Sequence, residues 1–166
     1  MKKLVILFLW MSVVTISSAY AQGKPSKKER RQEQAAEVLK MVEAQDYKFV
    51  AQHALPMSGR SISLTSEYDL RVSNDTISAY LPYFGRAYVA PIDPSEGGIK
   101  FESTDFNYRL EPAKKGGWIA HIAIKDAKRR IEMILHITTQ GSASLSVSED
   151  TRQSISFNGY IEKRKK

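Results

Sequence analysis

With 166 residues, 42% of them hydrophobic and 26% charged, and only six Pro and nine Gly, the chain has the composition of one ordinary globular domain, not of a disordered, collagenous or multi-span membrane protein. The absence of cysteine excludes disulfides, thiolate metal sites, iron–sulfur clusters and cysteine nucleophiles. The formal charge of +7 is concentrated at the two ends, because residues 35–159 hold 14 bases against 15 acids, so no basic face and no nucleic-acid partner are expected.

Residues 1–21 read as a secretory signal peptide. Lys2 and Lys3 supply the positive start, Leu4 to Ile16 the apolar stretch, and Ala19-Tyr20-Ala21 an Ala-x-Ala pattern that predicts cleavage before Gln22. The apolar part falls short of the roughly 20 residues needed to span a bilayer. No cysteine follows the small residues, so the expected product is periplasmic or secreted, not a lipoprotein, and does not span a membrane once the signal is removed.

A polar helix start follows over 22–36. Ser26 and Glu29 match a capping box, and Ala35, Val38, Leu39 and Val42 recur at helical spacing, predicting a helix from Ser26 to about Gln45. Lys27 to Gln34 is entirely polar and is expected to project, while Val38 to Val42 dock on the body.

From Tyr47 the period changes to two. Strands are predicted at Tyr47–Leu55, Ser61–Thr65, Tyr68–Val72, Thr76–Leu81, Ile99–Glu102, Phe106–Glu111, Trp118–Lys125, Ile131–Thr138, Ala143–Ser148 and Ser154–Ile161. Turn-rich segments such as Ser73-Asn74-Asp75 and Pro112 to Gly117 separate most of them. The expected fold is α+β, mainly β: one N-terminal helix packed on an antiparallel meander that forms a sandwich or open barrel. A single domain is expected over 37–161, with a basic tail over 162–166.

In one hairpin, facing Lys125 with Glu132 sets Ile124 against Met133, Ile122 against Leu135 and Ala120 against Ile137, an unbroken apolar face. That register also places His121 opposite His136, two potential ligands for zinc or copper. A zinc site needs three or four protein ligands and no third is evident, so the favoured reading is two sheet-surface histidines.

The run Tyr80-Leu81-Pro82-Tyr83-Phe84-Gly85-Arg86-Ala87-Tyr88 gathers three tyrosines, a phenylalanine and an arginine around a Pro and a Gly that interrupt a strand pattern. Tyr83, Arg86 and Tyr88 form a candidate surface for a sugar ring, an anionic group or a peptide. The favoured reading is a bulge at Gly85, with Phe84 and some of the tyrosines turned into the core and Arg86 paired to an acid such as Glu102 or Asp105.

This motif, with Gly97-Gly98-Ile99-Lys100-Phe101 and the late segment Ile155-Ser156-Phe157-Asn158-Gly159, resembles a family of exported domains of unknown function from Gram-negative gut-type bacteria. The resemblance covers about Glu37 to Ile161 and implies an exported single domain of mixed helix and sheet. Many members look like lipoproteins, with a cysteine where this chain has Gln22.

The sequence contains no Gly-x-Ser-x-Gly elbow, His-Glu-x-x-His pair, phosphate loop or Gly-x-Gly-x-x-Gly turn. The carboxylates Asp69, Asp75, Asp93 and Asp105 lie in or beside turns, where solvated acids are expected. The reading is therefore a non-catalytic binding or envelope-associated module without a cofactor, whose partner is a small ligand or an envelope protein. The alternative is a structural module that docks through its helix or a sheet edge.

Overall fold

A computed structural model describes residues 26–88, 97–127 and 130–164. The expected signal peptide over residues 1–21 and its expected cleavage point lie outside the described residues. At the start, the Ser26 hydroxyl accepts the Glu29 N–H at 3.2 Å and the Glu29 carboxylate accepts the Ser26 N–H at 2.6 Å, the reciprocal capping box. These bonds hold the Glu29 carboxyl below its ordinary pKa.

The helix α1 runs over Lys27–Glu43. Its end is set by Gln45, which takes a positive φ of 48° while the Asp46 N–H donates to the Met41 carbonyl at 3.1 Å. Of its stripe, Val38 and Val42 are buried.

Nine strands follow: β1 Tyr47–Pro56, β2 Ile62–Val72, β3 Ile77–Leu81, β4 Ile99–Ser103, β5 Phe106–Pro112, β6 Trp118–Ile124, β7 Ile131–Ile137, β8 Ser142–Glu149 and β9 Arg152–Lys163. They form one antiparallel sheet in the order β4-β3-β2-β1-β9-β8-β7-β6-β5. The meander is as expected, and β9 returns beside β1.

The two ends of that order are joined by only Thr104 and Asp105, and three Cα–Cα steps span at most about 11 Å, so the sheet curls into a nearly closed barrel. Alternating directions through nine strands leave β4 and β5 pointing the same way. They are two halves of one bent strand: its first half pairs with β3, Ile77 opposite Ser103, and its second with β6, Phe106 opposite Ile124. The ring therefore has eight staves.

Asp126 holds the bend. Its carboxylate accepts the Ser103 hydroxyl and the N–H groups of Thr104 and Asp105, the latter two at 3.2 and 3.3 Å. These bonds, the Ser103 hydroxyl foremost, pull the Asp126 carboxyl below its ordinary pKa. A group lowered in the folded state contributes stability above its unfolded pKa of about 4, and that contribution disappears as the pH falls through the folded value. Asp126→Asn is accordingly expected to lower the melting temperature at neutral pH, with the gap to wild type closing as the pH drops below about 4; thermal melts across pH measure it.

Along the strands the alternation is regular, as in β7, where Ile131, Met133, Leu135 and Ile137 are buried and Glu132, Ile134 and His136 are exposed. The buried residues fill the barrel and merge with Val38 and Val42 in one core. Apolar side chains face inward and most polar ones outward, the reverse of a barrel that spans a membrane. Among the described residues no helix is long and apolar enough to cross a bilayer.

Residues 34–46 close one end of the ring. The Gln34 amide donates to the Gln140 carbonyl at 2.9 Å, and the Tyr108 hydroxyl donates to the Val42 carbonyl at 3.1 Å while lying 3.3 Å from the Tyr47 hydroxyl. Burial pushes both phenols above their ordinary pKa. Tyr108→Phe removes the partner of the buried Tyr47 hydroxyl and is expected to reduce stability by about 1–2 kcal/mol, measured by urea unfolding.

The β6–β7 register differs from the expected one by two residues. His121 faces Ile134 and His136 faces Ile119, with Ala120 opposite Leu135 and Ile124 opposite Ile131. A shift of two keeps every side chain on its own face. The observed pairing sets Ile131, 6% exposed, against Ile124, whereas the expected register puts it beyond Lys125 without a strand partner. The two histidines are therefore not a facing pair.

Candidate functional site

The end of the ring opposite α1 carries the β1–β2, β3–β4, β6–β7 and β8–β9 connections. Pro82 stops β3, because it has no N–H for the ladder, and the chain then crosses this mouth as a strap. Tyr83 turns inward. Its hydroxyl lies 2.9 Å from the Arg86 carbonyl and 3.0 Å from the Gln153 carbonyl, and burial pushes its pKa up. A side chain at Gly85 would collide with the Tyr83 hydroxyl, so the glycine belongs to the motif because the tyrosine folds back beneath it.

The strap is then pinned to the β8–β9 turn. The Gln153 N–H donates to the Arg86 carbonyl at 3.1 Å and the Tyr88 N–H to the Thr151 carbonyl at 2.9 Å, with Ala87 bridging Arg152. Beneath it lies Arg152, the first residue of β9. Its guanidinium stands 5.0 Å from the Tyr83 ring centroid and donates to the Gly98 carbonyl at 3.1 Å. Its Nε is 3.5 Å from the Glu149 carboxylate, with side chains 3% and 5% exposed. One buried cation thus ties together both described ends of the β3–β4 connection and the hairpin under it.

The structure places the three candidate residues apart in depth. Tyr83 is half-buried and engaged, whereas Arg86 and Tyr88 are exposed. Phe84 is exposed as well, not turned into the core. Phe84, Arg86 and Tyr88 stand at every second position of the strap, an outward row of ring, cation and ring. Phe84 is the member that sequence reasoning put inside; the alternation from Tyr83 inward to Phe84 outward was the available signal.

Elsewhere the chemistry is already satisfied. His121 Nε2 lies 3.6 Å from Glu111, and among the described residues no three His, Asp or Glu side chains converge to hold a metal. Asp69 pairs with Arg71 at 3.0 Å, the Asp75 carboxylate accepts the Ser73 hydroxyl at 2.6 Å and Asp105 lies 3.5 Å from Lys125; Asp93 lies outside the described residues. A depression of about 610 Å³ on the outer wall is lined by Lys48, Arg71 and Arg164 among others. Each of these cations has a carboxylate: Glu67 and Glu162 at 2.6 and 3.0 Å from Lys48, Asp69 beside Arg71, and Asp46 at 3.1 Å from Arg164. That wall is an ion-pair lattice.

Comparison with known proteins agrees with this architecture. A crystal structure of a DUF4251 family protein from Bacteroides eggerthii superposes with a TM-score of 0.58 at 12% identity, over 79% of this chain and 88% of that one; at that identity the likeness concerns the fold. No curated protein matches the sequence. The family model for the domain of unknown function DUF4251 matches residues 29–161, and the chain belongs to that family.

Proposed function

We propose that this domain is an exported, non-catalytic recognition module that works through the strap across the barrel mouth. The reading of residues 1–21 as a signal peptide supports export to the periplasm or beyond. One observation carries the recognition: the strap is fastened from below by backbone bonds and a buried arginine, yet Phe84, Arg86 and Tyr88 stand in solvent, where they add nothing to the core. A packed bulge would bury its rings. The barrel interior is filled, so recognition belongs to the surface.

Docking through the helix has less to work with, since Val38 and Val42 of its apolar stripe are already buried. The test is a pair of variants, Phe84→Ala/Tyr88→Ala and Arg86→Gln, presented with an envelope extract. Unchanged melting with lost retention of an extract component supports the reading, and unchanged retention sinks it.

A further inference from the structure

We infer that the free edge of β5 pairs with the β5 of a second copy of this chain, joining two barrels through one antiparallel ladder. The bent stave makes that edge. Its first half pairs only with β3 and its second only with β6, so each half leaves one side without a neighbouring strand. On β4 that side is tied down at both ends, where Arg152 takes the Gly98 carbonyl and Asp126 takes the Thr104 and Asp105 N–H groups. On β5 it is bare. The Asp105 carbonyl accepts the Lys125 N–H at 2.9 Å and the Ala113 N–H donates to the Gly117 carbonyl at 3.0 Å, and an antiparallel strand turns alternate residues toward the same neighbour. Asn107, Arg109 and Glu111 therefore bond to β6, whereas Phe106, Tyr108 and Leu110 aim their N–H and C=O groups away from it. Among the described residues no backbone or side-chain group bonds to those three on that side. The bond from β5 to α1 is made by the Tyr108 hydroxyl, not by the strand's backbone.

The inward side chains of β5 agree with an open edge. Phe106, Tyr108 and Leu110 are only partly buried, although the β6 residues opposite them, Ile124, Ile122 and Ala120, are at most 5% exposed. Pro112 continues the row that faces away from β6, where a missing N–H costs no ladder bond. Such a row of alternating donors and acceptors recognises an extended backbone, and β5 is its own match. With Tyr108 opposite Tyr108 of the second copy, Phe106 meets Leu110, and every free N–H of the three residues meets a free C=O. On the outer face Asn107 comes opposite Arg109. Glu111 comes opposite Asp105, two acids already paired to Arg109 and Lys125 at 2.9 and 3.5 Å. The neighbouring registers are worse. Pivoting on Arg109 sets two guanidinium groups face to face, and pivoting on Leu110 sets Tyr108 against Pro112, which has no N–H to give. The favoured register also lays Phe106 of each copy beside Leu110 of the other, covering side chains that a lone barrel leaves half wet.

Sedimentation velocity of the purified protein across concentration is expected to show a monomer–dimer equilibrium. Asn107→Arg, which sets a second cation against Arg109 at two symmetric places, should weaken the dimer about tenfold, and Asn107→Glu should tighten it by a similar factor, with melting unchanged in both. Asn107 is exposed, so opposite shifts from one position report the facing charge and not the fold. Amide hydrogen exchange gives a second reading. The N–H groups of Phe106, Tyr108 and Leu110 should exchange quickly in dilute protein and slowly at high concentration, while those of Asn107 and Arg109, bonded to β6, stay protected throughout. A monomer at all concentrations, a dimer whose three amides stay unprotected, or a dimer indifferent to both Asn107 variants overturns the inference. So does protection of the three amides in the dilute monomer, which would mean that the chain covers the edge itself. The strap is a separate surface: Phe84→Ala/Tyr88→Ala should leave dimerisation as it is, and a loss there would place the contact at the mouth and overturn the edge.

Discussion

Arg152→Ala is expected to lower the unfolding free energy by about 3–5 kcal/mol, the loss typical when one member of a buried ion pair is removed. The substitution leaves the Glu149 carboxylate, 5% exposed, without its arginine, and takes from the Gly98 carbonyl and the Tyr83 ring the cation they share. Replacing both ions by apolar residues, Glu149→Leu with Arg152→Met, should recover much of the loss, because the desolvation of two charges disappears together. Urea unfolding of the two single variants and the double gives the coupling. The same change frees the strap, so under native conditions trypsin should cut after Arg86 faster in Arg152→Ala than in wild type. A loss under about 1 kcal/mol would mean that the pair is effectively solvated.

Gly159→Ala is expected to be nearly as damaging, at about 2–3 kcal/mol. Gly159 lies on β9 opposite Ala51 and Ala143, and a methyl group there would run into the Val50 carbonyl oxygen and crowd the Ala51 backbone. Backbone atoms cannot swing aside as a side chain would, so β1 and β9 must part. At this point β1 also shifts register against both neighbours between Ala51 and His53, and the bulge brings its backbone against β9. A thermal melt of Gly159→Ala within a degree or two of wild type would show that the bulge relaxes.

The strands were legible because each has one wet face and one dry one, and alternation is what that asymmetry writes into a sequence. Where it lapses, reading fails in particular ways. Ser66 and Glu67 looked like a break between two strands, but β2 runs through them, absorbing the irregularity that faces Ala51 and His53. Thr104 and Asp105 looked like a gap between separate strands, and nothing local reveals that the chain keeps its direction there; the parity of the whole ring decides it. The histidine pairing failed because a two-residue slip preserves facing, so the pattern alone does not choose between registers. Arg152 offered no sign of burial, since its partners Tyr83, Gly98 and Glu149 come from distant segments. The outward turn of Phe84 was not legible, because an aromatic ring beside a glycine reads as core, and Arg86, which the bulge reading paired to Glu102 or Asp105, is exposed.

The pairing of β1 with β9, Tyr47 opposite Lys163, makes β9, the last described strand, the stave that shuts the ring. Until it arrives, β1 has a bare edge, and the half-built sheet from β1 to β4 offers unpaired N–H and C=O groups to any neighbouring chain. Hairpins from β5 to β9 are local and close quickly, whereas the final stave must bridge more than a hundred residues of chain, the kind of non-local contact that slows folding. Truncation within β9 should therefore yield an aggregating chain, not a smaller stable domain, because β1 keeps its bare edge until β9 is in place.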